Sequence, residues 1–343
     1  MNLFKKITIS ICVVLIAGCA GESEEENTGE PAAEAGMLTM EGDTGDYVPG
    51  ETDDPAHDPA MTEKDGTYYV FSTGIERDPA DPGGIFVRES SGTVAGPWES
   101  IGEIPTPEWV EEYQPNHLWA PQVHEDEGTY YLYYAASSFG SNNSAIGAAV
   151  SETPGDPESW EDQGPVITSG YGETDYNAID PHVFEAEGDL WMVFGSHFSG
   201  IQLTRMEDPL TASEETSMIA SRPEDEHNAI EAPTIIERDG YYYLFTSWDQ
   251  CCSGTDSTYK IAYGRAESVE GPYEDEDGTL LSEGGGNILL ESEGAQIGPG
   301  GQDIYREEEQ DYLVHHYYDG DADGVIRMQV RELSWEDGWP VLE

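Results

Sequence analysis

The sequence predicts an all-β chain folded as a five-bladed β-propeller, with four antiparallel strands in each blade around a central channel. Three observations carry this. An aromatic-rich strand follows a polar turn five times, beginning at Gly66 (GTYYVFSTG), Gly128 (GTYYLYYAAS), Gly188 (GDLWMVFGSH), Gly240 (GYYYLFTSW) and Gln310 (QDYLVHHYYD). The copies recur roughly every 50 to 70 residues, the kind of period that repeat architectures show. Convincing helical periodicity is absent throughout.

Within the repeats, an apolar stretch precedes several of the aromatic strands across an acidic turn, as in Pro233-Thr-Ile-Ile-Glu237 before Arg238-Asp239-Gly240, so each such repeat holds at least one β-hairpin. Further strands such as Ala145–Ser151 and Lys260–Ala266, and Gly-Pro-aromatic turns at Gly96 and Gly271, bring the number to four per repeat. Radial repetition of four-stranded sheets protects their edges and makes the propeller a better solution than a two-sheet sandwich.

The N-terminus reads as a targeting segment. Lys5 and Lys6 precede an apolar run, Ile7 to Ile16, too short to span a membrane. The run ends Leu15-Ile-Ala-Gly-Cys19, which resembles the lipobox of bacterial lipoproteins, and this implies a signal peptide over 1–18 with lipidation of Cys19. Residues 19–45, rich in Glu, Gly, Ala and Pro, are expected to form a flexible acidic tether, leaving 46–343 as the propeller catalytic domain.

The chain carries 71 acidic against 13 basic residues, a formal charge of −58, and 37% hydrophobic residues. A core can be buried, while nucleic-acid binding and electrostatic membrane docking are disfavoured, so the lipid is the expected membrane contact and a neutral substrate the expected partner. Acids scattered through the turns suit a surface adapted to high salt, where a short Debye length screens the self-repulsion. The expected state is a monomer. With Cys12 and Cys19 in the leader, Cys251 and Cys252 are left in the domain, and they are expected to be packed thiols with neither redox nor zinc chemistry.

Three acids open the first hairpin of their repeats beside a proline: Asp58 in Ala56-His-Asp-Pro-Ala60, Asp180 in Asn177-Ala-Ile-Asp-Pro181, and Glu231 in Ala229-Ile-Glu-Ala-Pro233. Other Asp-Pro pairs occur and read as turns. These three are distinguished by the same place in the repeat, so the innermost strands would converge them on the axis, with proline limiting the backbone beside each carboxylate. The corresponding place in the other repeats holds Trp119-Ala-Pro-Gln-Val123 and Gly298-Pro-Gly-Gly-Gln302. Trp119 at the channel mouth would suit the apolar face of a sugar ring.

The residues His57-Asp-Pro59, Leu118-Trp-Ala-Pro121, Asn177-Ala-Ile-Asp-Pro181, Ile230-Glu-Ala-Pro233, the run from Tyr241 through Cys251-Cys252 to Arg265, and His316-Tyr-Tyr-Asp319 resemble glycoside hydrolase family 43, and within it the endo-acting arabinanases, over about residues 46 to 343. The resemblance implies an inverting hydrolase of α-1,5-linked arabinan, with Asp58 as general base, Glu231 as general acid, and Asp180 as the acid that tunes and orients Glu231. Inversion needs the base and acid roughly 6.5 to 9.5 Å apart, and a third carboxylate near the acid raises its pKa. Asn177 and His57 join Trp119 as expected substrate-side residues. Two positions depart from the family: Gln122 replaces an aspartate, and Gly301 replaces a histidine that helps hold a central calcium or water cluster. His316 is then the candidate metal residue, for Ca2+ held largely through waters. An exo-acting arabinofuranosidase or xylosidase, a non-catalytic glycan-binding lipoprotein and a scaffold propeller are the competing readings.

Overall fold

The computed structural model describes residues 37–39, 56–77 and 80–342; the signal peptide and Cys19 lie outside them. A short strand, β1 (Met37–Thr39), comes first. Four sheets of four sequential antiparallel strands follow. Blade I is β2 (Ala60–Lys64), β3 (Thr67–Ser72), β4 (Ile85–Ser90) and β5 (Glu99–Ile104). Blade II is β6 (Trp119–Asp126), β7 (Thr129–Ala136), β8 (Ser144–Ser151) and β9 (Glu161–Ser169). Blade III is β10 (His182–Ala186), β11 (Asp189–Phe194), β12 (Ile201–Asp208) and β13 (Thr211–Ala220). Blade IV is β14 (Ile230–Arg238), β15 (Tyr241–Trp248), β16 (Lys260–Ala266) and β17 (Asn287–Leu290). Blade V is β18 (Gln296–Glu307), β19 (Gln310–Asp319) and β20 (Val325–Glu336), whose outer edge is paired by β21 (Trp339–Leu342) at one end and by β1 at the other. Among the described residues, strand pairing begins at Met37.

The five aromatic segments are the second strands, β3, β7, β11, β15 and β19. Tight turns join the first and second strands of blades I to IV, with an acid and a glycine both at positive φ: Asp65-Gly66, Glu127-Gly128, Glu187-Gly188 and Asp239-Gly240. That backbone twist matches the right-handed twist of the strands, and glycine adopts it without a Cβ penalty.

Alternating side chains of neighbouring sheets meet in five buried clusters. Val87 and Leu132 join blades I and II, Ile146 and Met192 join II and III, Leu203 and Leu244 join III and IV, and Phe245 and Leu313 join IV and V. The fifth cluster packs Met61 and Val70 against Val314 and Val330, so blade V closes back on blade I. Apolar burial between every adjacent pair is what holds the ring together.

Candidate active site at the channel mouth

Each blade delivers one triplet to the head of the channel: Asp58-Pro-Ala60, Ala120-Pro-Gln122, Asp180-Pro-His182, Ala232-Pro-Thr234 and Gly301-Gln-Asp303. The leading residue of every triplet is left-handed, with φ of 50° at Asp58, 42° at Ala120, 56° at Asp180, 48° at Ala232 and 55° at Gly301. Non-glycine residues seldom adopt this conformation, and its fivefold recurrence marks a built feature at the point where strands turn into the channel.

This register corrects the equivalence expected of the three acids. Asp58 and Asp180 share a position, but Glu231 stands one residue ahead of it, where blade II has Trp119 and blade V has Gly300. Trp119 faces Ala135, Glu231 faces Ser247 and Gly300 faces His316, each followed by the same interruption of the ladder. The true counterpart of Asp58 in blade IV is Ala232. Counting from the proline concealed this, because all three acids lie within two residues of one.

The acids nonetheless converge. Asp180 Oδ2 accepts the Ala232 N–H at 3.0 Å, which ties it to the residue beside Glu231. Burial raises the Asp180 carboxyl well above the usual carboxylate range, and the negative charges of Glu231 and Asp58 raise it further. Asp180 is thereby the carboxyl of this group that favours its protonated form. Glu231 Oε1 accepts the Tyr259 hydroxyl and Oε2 the Ser196 hydroxyl, both at 2.7 Å. Burial lifts the Tyr259 hydroxyl well above its ordinary value, and the three carboxylates add to the effect.

Asp58 has the opposite environment. Burial alone would raise its carboxyl, but His57 and His316 and the Thr73 hydroxyl outweigh burial and hold it well below the usual range. Oδ2 meets His57 Nδ1 and the Thr73 hydroxyl at 2.7 Å each. Thr73 in turn accepts the Ala120 N–H at 2.9 Å, linking blades I and II. His57 Nε2 lies 2.8 Å from the Tyr318 hydroxyl, and that hydroxyl accepts the Cys252 N–H at 2.9 Å. Hydrogen bonding thus runs from Cys252 N–H through Tyr318 and His57 to the carboxylate. The His57 ring also stacks on His316, centroids 3.7 Å apart.

Other expected residues fall into place around this pair of environments. His57 is bonded at both ring nitrogens and orients Asp58. Asn177 is buried, its Oδ1 accepting the Ser144 hydroxyl at 2.7 Å. Trp119 is half-buried at the channel mouth, 5.8 Å from the His117 ring. Gln122 clasps blade III, accepting the Val183 N–H at 3.1 Å, and Gln302 clasps blade IV, accepting the Ser247 hydroxyl at 2.7 Å. Cys251 and Cys252 are bonded to one another, which corrects the expectation of two thiols; the pair closes the turn that presents Cys252 N–H to Tyr318.

His316 is fully buried. Its Nδ1 accepts the Asp58 N–H at 3.1 Å, and its Nε2 has no partner. His57, Asp58 and His316 bring ligand atoms within 4.8 Å of one another. With Nδ1 accepting, the neutral ring bears its hydrogen at Nε2 and turns no lone pair outward, so His316 does not fit Ca2+ as a direct ligand; a cation at this cluster would take its oxygens from Asp58 and waters. Gly301 has a local cause: a Cβ there would lie 2.2 Å from Asp58 Oδ1 and 2.8 Å from the His316 ring.

Sequence reasoning missed Thr73, Ser196, His197, Tyr259 and Tyr318. Tyr259 and Tyr318 lie inside motifs that carried the family resemblance, but only the fold shows which carboxylate each serves.

The profile of glycosyl hydrolases family 43 matches residues 52–340. The chain belongs to this family. An extracellular endo-α-(1→5)-L-arabinanase of Bacillus subtilis is 42% identical over 300 residues, 85% of this chain and 88% of the relative. An extracellular exo-α-(1→5)-L-arabinofuranosidase of Cellvibrio japonicus is 36% identical, covering 84% of this chain and 86% of the relative. The solved structure of a Bacillus licheniformis endo-arabinanase superimposes with a TM-score of 0.77 at 39% identity, over 89% of this chain and 99% of that one. The family 43 chain is a glycoside hydrolase, and its propeller agrees with the architecture read from the repeats.

Proposed function

We propose that this family 43 hydrolase is an exported endo-arabinanase that cleaves internal α-1,5-arabinofuranosidic bonds with inversion. One observation carries the reading: a single channel mouth holds a carboxylate kept ionised, Asp58, and a buried carboxyl pushed toward its protonated form, Asp180, bonded to the residue beside Glu231. Such opposed environments separate a general base from a general acid. Asp58 takes a proton from water as its oxygen attacks the anomeric carbon, while Glu231 gives its proton to the departing glycosidic oxygen. Asp180 keeps that proton available and, through Ala232 N–H, fixes the backbone next to the acid. His57 and Thr73 aim the base.

Exposed aromatic rings support a long polymer as substrate. Phe139 lies between β7 and β8, Phe198 between β11 and β12, and Tyr171 just after β9, all at the end of their blades that carries Ala120 and Asp180. Such rings can stack on successive sugars. A Ca2+ ion held through waters near His316 would supply positive charge beside Asp58. Export, the lipid anchor at Cys19 and high-salt adaptation rest on the leader, the names of the extracellular relatives and the −58 charge.

Digestion of linear arabinan tests the reading, with products resolved by length and their anomeric configuration followed by NMR. Oligosaccharides released with inversion are expected, and Glu231→Gln should lower the rate by about 100-fold or more. Arabinose alone would favour the exo mode represented by the Cellvibrio relative. Tight binding without turnover would leave a glycan-binding lipoprotein.

A further inference from the structure

We propose that His197 is the residue that reprotonates Glu231 after each turnover, a role that rests on the acid assignment above. An inverting cycle leaves Glu231 ionised and Asp58 protonated, so one proton must return to the acid before the next bond is cleaved.

The loop joining β11 to β12 turns at His197 and Phe198, with φ of 55° and 42°. Two successive left-handed non-glycine residues are strained, and such conformations cluster at functional sites. The strain is held by His197 N–H to Ile230 O at 2.9 Å and by Asn228 Nδ2 to Phe198 O at 2.9 Å. Its result is that adjacent residues reach one oxygen: Ser196 donates to Glu231 Oε2, and His197 Nε2 stands 3.7 Å from the same atom.

The tautomer is settled by the other ring nitrogen. His197 Nδ1 lies 2.9 Å from the His227 carbonyl oxygen, which only accepts, so Nδ1 bears the hydrogen and the neutral ring turns a lone pair at Nε2 toward the acid. The imidazole side chain is 37% exposed and the Glu231 carboxyl 15%, so the ring connects solvent to a nearly enclosed group. Glu231 is the carboxyl facing the ring, with Asp180 behind it. Asp225 and His227 lie on the segment leading into β14, and Asp175 on the connector whose carbonyl accepts Ser199 N–H. The remaining partners of Glu231 are hydroxyls, and the Tyr259 hydroxyl is kept neutral by burial.

The step balances. Nε2 takes a proton from a buffer acid or hydronium and becomes imidazolium with Nδ1–H retained. It then gives the Nε2 proton to Glu231 Oε2, while Asp58 releases to solvent the proton it took from the attacking water. The 3.7 Å gap closes by a small ring movement or one water, as apo distances in proton-transfer pairs commonly require.

His197→Asn is the informative variant, because asparagine tolerates the left-handed backbone and keeps an amide donor for the His227 carbonyl but carries no proton. On arabino-oligosaccharides, kcat should fall about tenfold with KM little changed, and added imidazole should restore it in proportion to its concentration. Wild type should ignore imidazole. On an aryl arabinofuranoside with an acidic leaving group, which needs no proton from Glu231, variant and wild type should match. A loss confined to KM would make His197 a sugar contact. A kcat loss without rescue, or one equal on the aryl substrate, would make it structural; both outcomes overturn the proposal. Wild-type inertness on arabinan would count against the substrate assignment alone, since the variant-to-wild-type ratio can be read on whichever glycoside the wild type cleaves.

Discussion

The Tyr318 hydroxyl lies 2.8 Å from His57 Nε2, 261 residues away in the chain, and so sets the direction of the ring that holds Asp58. Because the Asp58 carboxylate only accepts, His57 Nδ1–H is directed to Oδ2, which leaves Nε2 to accept the Tyr318 hydroxyl hydrogen while that oxygen accepts from Cys252 N–H. Tyr318→Phe removes both bonds while keeping the ring. A fall in kcat of about tenfold is expected, corresponding to about 1.4 kcal/mol of barrier, with a melting temperature close to wild type. Steady-state kinetics beside a thermal melt would check this, and an unchanged kcat would show that His57 needs no outer support.

Asp180→Asn removes the carboxyl that burial and the charges of Glu231 and Asp58 push toward its protonated form. The alkaline limb of kcat/KM should therefore move to lower pH, because the raised carboxyl beside the acid is gone. Rate measurements across the pH range, with Asp58 intact to keep the acid limb in place, would reveal the shift. A limb that stays put would assign Asp180 to orientation alone.

Gly301→Ala should damage the base without touching it chemically. The new methyl would press on Asp58 Oδ1 and the His316 ring at a backbone with φ of 55°. The left-handed conformation costs about 1 kcal/mol for alanine. The larger effect should be a drop in kcat as Asp58 is displaced from Thr73 and His57. Kinetics and a crystal structure of the variant would separate displacement from unfolding.

His315 makes stability sensitive to acid. Burial pushes its imidazole down to about 3 from the ordinary 6.5, Arg331 contributes in the same direction, and neither ring nitrogen has a partner. The unfolded chain takes up a proton below pH 6.5 that the folded chain refuses, so stability is lost as pH falls through that window. About 2 kcal/mol should be gone by pH 5. His315→Leu should leave melting at pH 8 within a few degrees of wild type and narrow the gap between pH 8 and pH 5. His182 and His117, pushed down to about 3 and about 4, will retain part of the gap.

The blades were legible in the sequence because each second strand advertises itself with Tyr, Phe and Trp after a tight polar turn, and each turn demands Asp or Gly. Asp58, Asp180 and Glu231 were legible because proline and apolar neighbours set them apart from turn acids. Their register was not, since a one-residue offset between Glu231 and Ala232 depends on where the ladder with β15 is interrupted. Tyr259 and Tyr318 were hidden by their surroundings: in strands and runs so rich in tyrosine, the residues that reach a carboxylate look like those that fill the space between blades. The disulfide between Cys251 and Cys252 likewise leaves no spacing signal.

Four of the five left-handed residues at the channel mouth, Asp58, Ala120, Asp180 and Ala232, act as sockets of one shape, whereas Gly301 has no room for a Cβ. A β-branched or large aromatic side chain is strained there, whereas Gly, Ala, Asn and Asp are admitted. The channel can therefore gain or lose carboxylates by single exchanges that leave the backbone alone: Ala120 and Ala232 already hold the conformation that Asp58 and Asp180 use. Chemistry in this ring is decided by which sockets are charged, and the fold accepts either answer.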